Sequence, residues 1–197
     1  MARPRAFDRD EVLARAMSLF WARGYAGASL DALDAATGLN RGSVYNAFGD
    51  KRGLYLEALE HYGQLEIGAA ARAVRNGGPA PGAIGGLFHD AVEHMASQGS
   101  QRTGCFMCNA AIELAPVDAH VAERVRLHLG ALRDAFAASL ERYCGSGTSE
   151  NVIAQTADHL LAAYMGLQVL AKAGCPAEQL RSTAESVLAM VERLETK

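Results

Sequence analysis

The chain has 197 residues, half of them hydrophobic, enough to bury a real core in one large or two modest domains. A net charge of -3 argues against a protein that coats nucleic acid non-specifically, but the charge is unevenly placed. Eight Lys or Arg against six Asp or Glu leave the part up to Tyr55 at +2 and the remainder at -5, which suits a molecule that presents one end to DNA. There is no run of about 18 apolar residues to span a bilayer and no apolar leader, so a cytoplasmic protein without a membrane role is expected, its four cysteines mostly reduced.

Alanine and leucine dominate and strand-type alternation is absent, so the chain reads as all-helical. Residues 1–7 form a basic arm in which Arg3 and Arg5 are candidates for contact with a phosphate backbone or minor groove. A first helix starts at Asp8, with Glu11 completing a capping-box-like pair and Phe7 stapling onto Val12. Val12, Ala16, Leu19 and Phe20 make its apolar stripe, Gly24 stops it, and Trp21 reads as packing or as a ring at the domain edge.

The stretch 29–54, SLDALDAATGLNRGSVYNAFGDKRGL, organises the rest. Ser29 caps a short helix facing inward through Leu30 and Leu33, and Gly38 supplies the left-handed residue that ends it. Asn40 caps the next helix, where Val44, Ala47 and Phe48 share one apolar face and Arg41, Gly42, Ser43, Tyr45 and Asn46 lie opposite. A short polar face that is small at its start is what a helix needs to push its N-terminal end into a major groove. Asp50 caps a third helix whose first residues, Lys51 and Arg52, lie near where a phosphate backbone passes.

The pattern from Ser29 through Gly38, Ser43, Tyr45 and Phe48 to Lys51 and Leu54 resembles the TetR/AcrR family of one-component bacterial transcriptional regulators. The close resemblance covers about the first quarter of the chain. It implies an all-α dimer of about nine helices: a three-helix helix-turn-helix DNA-binding domain at 1–55 and a helical ligand-binding and dimerisation domain at 56–197. It implies double-stranded operator DNA as partner, a small-molecule inducer and no cofactor. Ala47 departs from it, standing where many members carry a second aromatic residue, so a phosphate contact there falls to Tyr45.

From Lys51 a long helix continues through Tyr55, Leu59, Tyr62, Leu65 and Ile67 toward Arg75, linking reading head and body. The segment 76–82 breaks helix, and the next runs to about Gln98, with Gly85 and Gly86 read as places of close helix approach or, equally, of frayed structure. A compact helix capped by Thr103 ends at Pro116, and a longer one spans about 118–144. The last two helices, about 149–173 and 176–195, carry more apolar surface than one core uses, which predicts a homodimer through this pair as a four-helix bundle.

The C-terminal half shows no nucleophile-and-base pattern, phosphate-cradling loop or full metal-ligand cluster, so no enzyme is expected. Its pointed feature is Cys105-Phe106-Met107-Cys108, both thiols on one helical face with Asn109 and Ile112. Three readings stand: small buried apolar residues; a ligand pocket with Phe88, Met95, Phe106, Asn109, Glu113 and Tyr164; or a thiol switch responding to oxidants, electrophiles or a soft metal. Glu113, on an otherwise apolar helix, needs a partner: it selects a polar or cationic ligand or, the preferred reading, pairs with an arginine such as Arg124 or Arg133. The rival to a DNA-binding regulator is a ligand-binding or thiol-reactive protein whose helix-turn-helix does not bind DNA.

Overall fold

A computed structural model describes residues 7–99 and 103–194. Among these it contains ten α segments and no strand: α1 Arg9–Gly27, α2 Leu30–Thr37, α3 Arg41–Phe48, α4 Lys51–Tyr62, α5 Gly68–Asn76, α6 Ala80–Ser97, α7 Phe106–Glu113, α8 Ala119–Cys144, α9 Glu150–Lys172 and α10 Ala177–Glu192. A π-helical turn, Gly63–Ile67, joins α4 to α5, so ten segments make nine rods. No helix is long and apolar enough to cross a membrane among the described residues. The basic arm with Arg3 and Arg5 lies outside them.

The head, α1 to α3 and the first turn of α4, is punctuated as its residues dictate. Asp8 accepts from the N–H of Asp10 and Glu11, Ser29 from that of Ala32, Asn40 from that of Ser43 and Asp50 from that of Gly53, each satisfying N–H groups that a helix start leaves open. Gly38 ends α2 at φ 72°. Val12, Ala16, Phe20, Leu33, Val44 and Phe48 meet beneath. The Arg9 guanidinium lies 4.5 Å from the centre of the Phe48 ring and pairs with Glu57, clamping α1 across α3 onto α4.

In the body, α5, α6, α8, α9 and α10 pack around Ile84, Phe88, Leu132, Phe136, Leu160 and Tyr164. The linker rod is not uniform. At the π-turn, Gly63 lies against the ring of His128 on α8, whose Nε2 is 3.0 Å from Glu60 Oε2. A β-carbon at Gly63 would fall 2.4 Å from that ring, so the absent side chain lets rod and α8 close up.

Three expectations about this half are corrected. The short helix begins at Phe106 with Cys105 as N-cap, not Thr103, because residue 104 turns at φ 68° and delays it. It ends at Glu113, before Pro116. Gly85 makes only ordinary contact with Leu188 and Gly86 faces nothing within 4 Å, so neither is a site of close approach.

Candidate nucleic-acid interface

α3 presents its first turn outward. Arg41, Gly42, Tyr45 and Asn46 are exposed and Ser43 is half-buried, while Val44 and Phe48 anchor the opposite side. Tyr45 is 52% exposed, a large ring that the core leaves unused. The Arg41 guanidinium donates to Asp31 on α2, held beside the reading face by a partner that is itself exposed. Gly53 fixes how α4 meets this helix: a β-carbon there would sit 1.9 Å from the Phe48 carbonyl oxygen. Ser29 and Asn40 cap the two reading helices, and Lys51 and Arg52 begin α4 alongside.

The two cations at the start of α4 are engaged differently. Lys51 Nζ lies 4.4 Å from the centre of the Tyr25 ring. Arg52 turns inward, donating from Nε at 2.6 Å and from Nη2 at 2.8 Å to the two carboxylate oxygens of Asp118, the N-cap of α8. That guanidinium takes the Asp118 carboxyl from the usual 3.8 down to about 2. Arg52 is thus committed to the body rather than to phosphate.

Two further ties cross the same junction. Trp21 Nε1 donates to the Gly104 carbonyl at 3.0 Å. Gly24, at φ 72° and ψ 173°, breaks α1, and the Glu113 carboxylate accepts from the Tyr25 and Ala26 N–H groups just beyond, both at 2.9 Å. The expected partner of Glu113 is therefore corrected: Arg124 lies by Glu60 and Arg133 pairs with Asp158, while Glu113 caps backbone in the head. Below these ties, Tyr55 meets Phe20, Tyr25 and Phe106 edge-on at 5.0, 5.2 and 5.4 Å, and Tyr62 meets Trp21 and Phe106 at 5.1 and 5.7 Å. These rings form one aromatic mass between α1, α4 and α7.

The residues named for a pocket in the body do not all line one cavity. Phe88 is fully buried against Phe136 and Tyr164, and Phe106 belongs to the junction, so neither lines the two cavities beside α7. One cavity, about 330 Å³, is lined by Trp21, Tyr62, Met95, Cys105 and Tyr164 together with the exposed Glu66, Asp90 and His94. The other, about 380 Å³, lies between α7 and the end of α9 and is lined by Gly24, Cys105, Cys108, Asn109, Glu113 and Lys172. Cys105 borders both. The Cys108 thiol and the Tyr62 hydroxyl donate toward its sulfur and favour the thiolate over the opposing effect of burial, holding the Cys105 thiol below the ordinary range and pushing Cys108 above it. Sequence reasoning placed Trp21 in packing or at the domain edge, where it lies, and missed Gly24, Gly104 and Asp118 as junction residues. Gly24 was legible as a helix breaker; the carboxylate that uses the break was not.

Residues 12–58 match the profile of bacterial regulatory proteins of the tetR family. The HTH-type transcriptional regulator YezE of Bacillus subtilis is 28% identical over 195 residues, 98% of this chain and all of that protein. The HTH-type transcriptional repressor BdcR of Escherichia coli is 30% identical over 106 residues, 54% of this chain and 52% of that protein. Among solved structures, the TetR family transcriptional regulator CifR, as a cysteine mutant with 26 bp double-strand operator DNA, superimposes with a TM-score of 0.79 at 33% identity, covering 95% of this chain and 98% of that one. With head, linker rod and body matched over nearly the whole length, the chain belongs to the tetR family of bacterial regulatory proteins.

Proposed function

We propose that this protein is a transcriptional repressor that binds a palindromic double-stranded operator as a homodimer and is released by a small-molecule inducer or by thiol modification in the body. The observation that carries the reading is the outward N-terminal turn of α3, polar and small at Gly42 and Ser43 and seated on buried Val44 and Phe48. Arg41, Ser43 and Asn46 read base edges; Tyr45 and Lys51 contact phosphates; Ser29, Asn40 and Gly42 let the backbone approach the duplex, and Arg3 and Arg5 of the arm contact phosphate or minor groove. The functional halves are 1–55 and 56–197. The operator complex of CifR and the repressor assignment of BdcR support the reading. For two heads to enter successive major grooves on one face, their α3 helices lie roughly 34 to 36 Å apart.

The test is the affinity of the reduced protein for DNA from directly upstream of its own gene, against random duplex at matched physiological salt. Preference by a factor of about 10³ or more is expected of a specific regulator. Equal, weak binding to both, with no preferred site recovered by selection from random duplexes, refutes it.

A further inference from the structure

The start of α7 brings two thiols together beside a thioether. Cys105 is the N-cap and Cys108 sits in the first turn, which brings both thiols to one side of the helix. Opposite them α9 supplies Met165, whose Sδ lies 3.2 Å from Cys108 Sγ. The site is nearly closed, with Cys105 2% and Cys108 8% exposed.

We propose that Cys105, Cys108 and Met165 form a binding site for a soft monovalent metal ion, Cu(I). Two thiolates and a thioether with no oxygen or nitrogen donor among them select this ion. Zinc is disfavoured because it takes four ligands in a tetrahedron, and the described residues contain no group of three or more His, Cys, Asp and Glu placed to hold a metal. The surroundings suit an anionic bis-thiolate centre. The Tyr62 hydroxyl donates to the Cys105 sulfur at 3.5 Å, both cysteines sit at the N-terminal end of α7, and Lys172 lines the same cavity. On binding, the thiol protons leave to solvent, two S–Cu bonds replace the S–H bonds, and copper remains Cu(I). The ion reaches the sulfurs through the cavity between α7 and α9, which both cysteines line. Its effect is mechanical as well: it staples the start of α7 to α9, while the far end of α7 holds Glu113 against α1.

Reduced protein titrated anaerobically with Cu(I) against bathocuproine disulfonate tests this. One Cu(I) per chain is expected to resist the chelator. Cys105→Ser and Cys108→Ser each lose at least about a hundredfold in affinity and Met165→Leu about tenfold, the scale on which changes around a metal act. Cys144→Ser and Cys175→Ser leave it unchanged. Circular dichroism verifies that each variant is folded. The assignment is overturned if the wild type yields copper as readily as the Cys105→Ser/Cys108→Ser double variant, and the three-sulfur form is overturned if Met165→Leu binds like wild type. Operator affinity of the metal-free protein, measured on the same preparations, separates failure of this site from failure of DNA binding.

Discussion

Two single residues at the junctions carry more than their size implies. Gly63 exists so that the linker rod can touch His128, and a methyl group there collides with a ring already fixed by Glu60. Gly63→Ala is expected to cost about 1–3 kcal/mol of stability from overpacking, offset in part by the better helix propensity of alanine, measured by urea unfolding. Glu113 is a cap that works from another element. Its carboxylate serves the N–H groups of Tyr25 and Ala26, as a helix N-cap side chain serves its own first turn. Glu113→Ala is expected to cost about 1 kcal/mol and to speed hydrogen exchange of those two amides while the amides of α9 keep their protection. Unchanged exchange at Tyr25 and Ala26 refutes the cap.

Among elements, α3 is the one whose task can be dissected by substitution. Arg41→Ala is expected to relax sequence preference, since a bidentate contact to guanine contributes about 1 to 3 kcal/mol of discrimination. Lys51→Ala is expected to weaken specific and random DNA alike and to flatten the salt dependence by about one unit of slope. Equal loss on both kinds of DNA for both variants overturns the division. The reading helices were legible because local rules write them: Ser29, Asn40 and Asp50 cap in place, Gly38 terminates, and Val44 with Phe48 marks the buried side. α7 was legible as a helix but not as a bridge. Phe106 looks like any pocket aromatic until Tyr55 and Tyr62 are seen against it, and Glu113 meets Tyr25 across 88 positions of chain. The π-turn at Gly63–Ile67 escaped for the same reason, since the histidine that Gly63 packs against lies on α8.

At the scale of the whole molecule, head and body are held by three polar ties around an aromatic centre, and one of them is sensitive to acid. The folded Asp118 carboxyl titrates below its unfolded value, so its pairing with Arg52 stabilises fully above about pH 4 and is lost as pH falls toward 2. Asp118→Asn, which keeps an N-cap, is expected to remove that part of the acid dependence of unfolding, seen in melts across this range. The two C-terminal helices leave an apolar face in which Ala163, Val187 and Met190 line a shallow hollow with His159. Ala163→Arg is expected to give a monomer by light scattering at micromolar concentration; a dimer that persists places the contact elsewhere. The tie from Glu113 also sets an order of events during synthesis. At about 5 to 20 residues per second, the ribosome adds the cap for Tyr25 several seconds after Tyr25 itself. A nascent head therefore carries two uncapped amides and an unanchored Trp21 until α7 emerges. In any chain that stalls before then, the break at Gly24 stays without its cap.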